Sequence, residues 1–348
     1  METVRAIDAL LDGGSYADAA KVVLLIPPSC PPPVLRNIEI RRQGWFRGGY
    51  AWEQFDLPRL ARSGVLLGLC NLGPVVKRDQ VIVVHDATPK VMPRNFSRGF
   101  RLAYGVLIPI LGRVAARIVT ITAFSRSEIA RWYGLSPAGI EICGEGGEHI
   151  RNQPSDPGIL DRHDLRVTPY FLAVGVGSSN KNVETVIAAF KKASFSGVKL
   201  VMTGRRSARV HPTASVQPAA EDADMEDALV YAGHVSDGEL RALYEQTLAL
   251  VYPSRYEGFG LPPIEAMACG CPVIISDQAA LLEVAGADGA ALVTGMDDVE
   301  GLAGQLSALH ADAGLRQSMA DRGRLHAARF EWSRTAAILL DLCLKIAR

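Results

Sequence analysis

Glu257 and Glu265 stand with seven residues between them, and the turn they flank reads Gly258-Phe259-Gly260-Leu261-Pro262-Pro263. Just upstream, residues 248–252 form an aliphatic run that predicts a buried strand. Pro262 and Pro263 suit the first turn of a helix, where a missing N–H costs nothing, and Gly270 with Pro272 suits its left-handed end. The turn therefore sits at a helix N-terminus, at the carboxyl end of a strand. Free amides and the helix dipole favour an anion there, and glycine lets a phosphate approach the backbone. Carboxylates on either side accept hydrogen bonds from hydroxyls. Such a set suits a sugar nucleotide, with one acid on the donor sugar and the other on the ribose. A capped helix with solvated glutamates is the plainer alternative, but strand, Gly-x-Gly turn and paired prolines together favour a site.

Positioning that site requires alternating elements, and the chain supplies them. Residues 22–26, 81–84 and 118–122 read as buried strands in the first half, and 170–174, 199–202, 248–252 and 273–276 in the second. Between them, 125–133, 182–192, 236–246 and 299–309 carry helical patterns. This alternation predicts an α/β protein with parallel sheets and helices on both faces. Residues 151–168 are polar, contain Pro154 and Pro157, and read as a linker between two doubly wound domains. The expected division is 1–152, 153–330, and a helix at 331–348 that packs back on the N-terminal domain. Residues 207–227 read as a surface loop.

A length of 348 residues fits two domains, and 48% apolar with 21% charged residues excludes a disordered or low-complexity chain. Thirty-seven basic residues balance 37 acidic ones, which removes the global charge of a nucleic-acid binder. The first 150 residues nevertheless hold 18 Lys/Arg against 13 Asp/Glu, a net +5 balanced by −5 in the remainder. Of the six cysteines only Cys269 and Cys271 are close, with no metal-ligand companions, so neither a zinc site nor a disulfide scaffold is expected and a reducing compartment is. The start lacks a basic-then-apolar leader, and Pro109, Arg113 and Arg117 interrupt the most apolar stretch, 102–122. A soluble chain, attached at most to a membrane surface, is the expectation.

From Glu257-Gly258-Phe259-Gly260-Leu261-Pro262 through Glu265-Ala266 to Gly270-x-Pro272-Val273, the sequence resembles glycosyltransferase family 4, retaining enzymes of the GT-B fold. Gly175 with Lys181-Asn182 and Ala189-Phe190, then Gly233-His234-Val235-Ser236-Asp237 with Glu239-Leu240 and Tyr244, are similar to segments of that family. So are Trp52-Glu53-Gln54 to Pro58, His85-Asp86 to Pro89, and Phe124-Ser125-Arg126 to Glu128. The resemblance covers nearly the whole chain, in co-linear order. It implies two Rossmann-like domains facing across a cleft, the first binding acceptor and the second the nucleotide sugar. Glu257 would face the donor sugar near its reacting carbon, and Glu265 would bind the ribose hydroxyls. Lys181, with the amides of Phe259, Gly260 and Leu261, would neutralise the diphosphate beside Gly175. His85 and Asp86 follow the strand at 81–84, where α/β ligand sites open: either His85 faces the transferred sugar and Asp86 contacts acceptor, or His85 is a satisfied polar residue and Asp86 caps a turn, while Ser125 would either cap its helix or touch phosphate. Where many members carry arginine directly after the glycine this chain has Val176, so one diphosphate contact is either missing or supplied by Arg205 or Arg206.

The resemblance further implies a front-face transfer with retained configuration and no metal. Its bacterial polysaccharide mannosyl- and rhamnosyltransferases imply a mannose donor, GDP- or UDP-linked. Helical spacing of Val4, Ile7, Leu10 and Leu11 from the outset departs from the family's opening strand, implying either a late start or an N-terminal domain without its first strand. Three rivals are weaker. Asp222-Ala223-Asp224 as a metal site lacks a leading strand, and Gly175-Val176-Gly177 lacks the third glycine of a dinucleotide fold. A non-catalytic nucleotide-sugar-binding partner of another transferase is the third, against which the intact Glu257, Glu265 and Lys181 argue. Finally, Arg94, Arg98, Arg101, Arg113 and Arg117 interleave with Phe96, Phe100, Tyr104, Leu107 and Ile110. That is either a core helix with a charged face, or a surface for an anionic lipid or lipid-linked saccharide acceptor at the cytoplasmic membrane face.

Overall fold

A computed structural model describes residues 1–12, 16, 21–204 and 227–347. They form two compact units, Met1–Gly146 with Glu331–Arg348, and Gly147–Phe330. In the first unit, β1 (Val23–Ile26) pairs in parallel with β2 (Glu39–Arg42) as a separate ribbon. The main sheet runs β3 (Leu66–Gly68), β4 (Gln80–Val83), β5 (Arg117–Thr120), β6 (Ile140–Ile142), all parallel. Val81, Ile82, Val83 and Val84 are all buried, as a strand covered on both faces demands. The helix Arg98–Val114 presses Tyr104, Ile108 and Leu111, at one-turn and two-turn spacing, into this core and leaves Leu102, Val106 and Ile110 exposed.

The opening helix, Glu2–Leu10, buries Val4, Ile7 and Leu11 against Ala336 and Leu340 of the C-terminal helix Trp332–Ala347. Asp8, on its inner side, accepts the amides of Arg36, Asn37 and Ile38 at 2.8, 2.7 and 2.9 Å. Burial would raise its pKa, but those three donors favour the charged form and hold it below the ordinary aspartate value.

In the second unit six parallel strands stand in the order β12-β11-β10-β7-β8-β9. Their ranges are β7 Tyr170–Val174, β8 Lys199–Thr203, β9 Leu229–Gly233, β10 Ala249–Tyr252, β11 Val273–Ser276 and β12 Leu292–Thr294. The chain moves outward from β7 to β9, returns to the other side of β7 with β10, then moves outward again. Order reverses between β7 and β10, and the crevice beyond the carboxyl ends of strands at such a reversal is where open α/β sheets bind ligands. Residues 151–168, expected as a linker, are instead packed into this unit. The short helices His149–Asn152 and Gly158–Arg162 lie against helices Asp237–Gln246 and Leu261–Ala268, with Ile150, Ile159, Leu160 and Leu165 buried. Four apolar side chains at irregular spacing show no period, yet they bury as well as a regular stripe. Nearly all of the expected 207–227 loop lies outside the described residues.

Candidate functional site

The two strands at the reversal deliver the two halves of a site. After β7 the chain turns at Gly175, whose φ of +77° lies in the left-handed region, and a Cβ there would stand 3.2 Å from Lys181 Cε. Glycine thus serves both the turn and the passage of the lysine stem. Lys181 ends a short 3₁₀ turn, Ser179–Lys181, and Asn182 follows at φ +56°. The buried Asn182 amide donates to the carbonyls of Pro253 and Met296, while its oxygen accepts from Thr185 Oγ1 at 2.8 Å. That knot ties the Lys181 turn to the loop after β10.

Lys181 Nζ consequently reaches Glu257 Oε1 at 2.6 Å and the hydroxyl of Tyr252, with its charge 4.6 Å from the Tyr252 ring centre. Tyr252 O–H donates to the same carboxylate oxygen at 3.0 Å, and Asn180 Nδ2 at 3.2 Å. The side chains of Lys181 and Glu257 retain 17% and 13% exposure, so the pair is sheltered yet reachable. Burial, then the Glu257 charge, pushes the Tyr252 phenol well above its ordinary value, which keeps it a donor.

Downstream, Gly260 is the N-cap of helix Leu261–Ala268 at φ +101°, and a Cβ on it would lie 2.5 Å from Leu281 Cδ2. Pro262 and Pro263 remove two of the four amides a helix start leaves unsatisfied. The amides of Gly260 and Leu261 remain, and with that of Phe259 they have no hydrogen-bond partner among the described residues. The Phe259 ring itself is structural, packed edge-on to Phe330 at 5.8 Å. Glu265, one turn into the helix and 8% exposed, accepts from Tyr244 O–H at 3.2 Å on one oxygen and faces His149 Nε2 at 3.2 Å with the other. Unpaired amides, a lysine and two carboxylates in this arrangement can hold a diphosphate between hydroxyl-bearing groups.

In the first unit, His85 and Asp86 follow β4. His85 Nε2 meets the Leu69 carbonyl at 2.9 Å and Nδ1 meets Glu145 Oε1 at 3.2 Å, while its amide is held by Asn71 Oδ1 at 2.8 Å. Burial alone would lower its pKa, but the carboxylate, carbonyl and nearby Asp86 outweigh this and raise it. With a carbonyl and a carboxylate at its two nitrogens the imidazole is held in place, and both partners favour its charged form. Asp86 Oδ1 accepts the Thr88 amide at 2.7 Å, closing the turn. Ser125 is wholly buried, and capping is corrected: Thr122 caps helix Ala123–Tyr133 and its hydroxyl accepts the Ser125 amide. The side-chain-to-amide reach that caps a helix belongs to the residue before its first turn, not to one inside it.

Arg205, Arg206, Asp222 and Asp224 lie outside the described residues. Among the described residues no three His, Cys, Asp or Glu converge as metal ligands, all six cysteines are free thiols, and no helix is long and apolar enough to cross a membrane. Sequence reasoning missed Tyr252, Asn180, His149, Tyr244's bond to Glu265, and Glu145. Tyr252 was findable as the last residue of a strand aimed at the glycine turn. His149 and Glu145 carry no local signal.

Residues 164–326 match the family described as glycosyl transferases group 1. The O-antigen chain mannosyltransferase RfbU of Salmonella typhimurium is 31% identical over 287 residues, covering 82% of this chain and 77% of the relative. Sucrose-phosphate synthase of Thermosynechococcus elongatus superposes with a TM-score of 0.73 at 19% identity, over 97% of this chain and 91% of that one. HepE of Anabaena, solved with UDP and glucose, superposes with a TM-score of 0.71 at 16% identity, over 98% and 95%. The two solved structures establish the shared α/β fold with parallel sheets.

Proposed function

The chain belongs to the group 1 glycosyl transferases and is a glycosyltransferase, and from that premise we propose that it moves mannose from a nucleoside diphosphate, GDP before UDP, to a hydroxyl of a saccharide or lipid-linked saccharide in polysaccharide assembly. One observation carries the donor half of this reading: three unpartnered amides at residues 259–261 and the Lys181 ammonium lie beyond the carboxyl ends of the two strands where sheet order reverses. Donor diphosphate takes Lys181 from Glu257, and the freed carboxylate accepts from the donor sugar's hydroxyls. Glu265, braced by Tyr244 and His149, accepts from the ribose.

Transfer breaks the bond between the sugar's anomeric carbon and the diphosphate oxygen and forms one to the acceptor oxygen on the same face. The acceptor proton passes to the departing phosphate, so no protein base is needed. The chain's part is to stabilise charge growing on the leaving group through Lys181 and the amides, and to orient both substrates. His85, fixed through both ring nitrogens, presents its ring to the transferred sugar. The reaction belongs at the cytoplasmic membrane face, where Leu102, on the same helix as exposed Val106 and Ile110, lines with Lys90, Arg98 and Arg101 a cavity of about 410 Å³ suited to anionic lipid.

A thermal-shift panel of GDP- and UDP-sugars tests the donor, since a native-state ligand stabilises by mass action. The expected result is a rise in Tm with GDP-mannose that Glu265→Ala reduces. Equal rises for parent and variant would remove Glu265 from the ribose.

A further inference from the structure

Five aromatic side chains are exposed among the described residues, and four of them, Trp45, Phe46, Tyr50 and Phe55, fall within residues 45–55; only Trp132 lies elsewhere. Trp45 and Phe55 are 78% and 68% exposed. Aromatic area left in water at that density marks a contact surface rather than a random leftover of folding.

The segment that carries it is built. Asp56, wholly buried, accepts the Phe46 amide at 2.8 Å, and Trp52 Nε1 donates to the Gln43 carbonyl at 2.8 Å. Gly44 permits this closeness, because a Cβ on it would stand 2.5 Å from Trp52 Nε1. Residues Trp52–Asp56 form a π-helix, a widened turn that is frequent at functional sites. Phe46 and Phe55 stand 5.9 Å apart with planes tilted by 37°, and the Arg59 guanidinium lies 4.0 Å over the Trp45 ring.

Polar groups are fixed on the same segment, with Glu53 near Tyr50. Gln54 Nε2 donates to Glu53 Oε1 at 2.9 Å and to the Gly73 carbonyl at 2.9 Å, while Gln54 Oε1 accepts the Val75 amide at 3.1 Å. A loop after β3 thereby fixes the Glu53 carboxylate. Burial raises the pKa of Glu53, and burial with the Glu53 charge raises that of Tyr50. Tyr104, whose phenol burial and the nearby Tyr50 and Glu53 push upward, lies beside Asn71, the residue that holds the His85 amide. The aromatic segment is thus linked within the first unit to the loop that presents His85.

We propose that Phe46, Tyr50 and Phe55 with Glu53 form the subsite for the acceptor saccharide, the rings stacking on the apolar face of a pyranose while Glu53 accepts from its hydroxyls. Flat apolar surface with a few fixed polar groups is the pattern of a small-molecule site. A glycosyltransferase needs such a place for a sugar that carries no charge of its own. This inference rests on the glycosyl-transfer reading.

The test uses the full chain and saturation-transfer NMR with methyl α-D-mannopyranoside and α-linked mannobiose as probes. Phe55→Ala, Phe55→Tyr and Glu53→Gln are compared with the parent, and GDP-mannose thermal shift is measured on each. Phe55→Ala should weaken saccharide binding by about fivefold or more, Phe55→Tyr should keep it, and the nucleotide-sugar shift should stay unchanged in all. Unaltered saccharide signals in both Phe55→Ala and Glu53→Gln overturn the subsite, as does absence of any signal from the parent. Loss of vesicle binding in Phe55→Ala with saccharide binding intact overturns it in favour of a lipid contact. A missing nucleotide-sugar shift in the parent strikes instead at the donor reading.

Discussion

Replacing Lys181 by methionine isolates the charge on which the donor site depends. The methionine stem still fits past Gly175, but the ammonium that meets Glu257 at 2.6 Å and the Tyr252 hydroxyl is gone. A hydrogen bond to a charged group is worth about 1.5–3 kcal/mol net. At roughly 1.4 kcal/mol per tenfold, nucleoside diphosphate should bind some 10- to 150-fold more weakly. Stability should fall as well, because Glu257 keeps only the Tyr252 hydroxyl at 3.0 Å and Asn180 at 3.2 Å in a site where its side chain is 13% exposed. A loss of about 1–3 kcal/mol for that under-satisfied carboxylate corresponds, at roughly 2–4 °C per kcal/mol for a unit of this size, to about 2–12 °C in Tm. The double variant Lys181→Met with Glu257→Gln separates the two effects, since an amide needs no cation. It should regain most of the stability and none of the affinity. Calorimetric titration of GDP and UDP, alongside thermal melts of the ligand-free chains, reads both quantities. Binding within twofold of the parent in Lys181→Met, or affinity restored by the double variant, would refute the electrostatic reasoning.

Three further outcomes rest on the geometry. His85 has a folded-state pKa above its ordinary 6.5, so its contribution to stability is complete below that value and fades as pH rises through the folded value. Glu145→Gln should flatten this dependence, and melts at about pH 6 and about pH 8.5 in both chains check it; an unchanged slope would sever the His85–Glu145 link. Gly260→Ala meets both a φ of +101° and Leu281, so the turn must shift, at a cost of about 1–3 kcal/mol, and nucleotide affinity should drop about tenfold or more. Gly270→Ala, at φ +77° against the end of the Arg324 side chain, should destabilise the other end of the same helix without that loss of affinity.

Much of the scaffold was legible because it is local. Strands at 170–174 and 273–276 stand where aliphatic runs placed them, and the Gly258–Leu261 turn opens a helix as its prolines demand. Residues 151–168 were misread for the converse reason: their buried side chains follow no period, and only the helices they meet give them an inside. The same holds at the site. Sequence marked Glu257, Glu265 and Lys181 through turn chemistry and family likeness, and it marked His85 and Asp86 by their place after a strand.

Local pattern sets the α/β alternation, the glycine turn at a helix start and the candidate residues strung along it, since each depends on neighbours within a few positions. Tertiary structure alone decided the partners. Lys181 finds Glu257 across 76 residues, Glu265 finds His149 rather than solvent, Glu145 reaches the His85 ring, and Thr122 rather than Ser125 caps its helix. A carboxylate's role is set by which donors reach it through a few ångströms of space, and only the packing of distant strands brings those donors there.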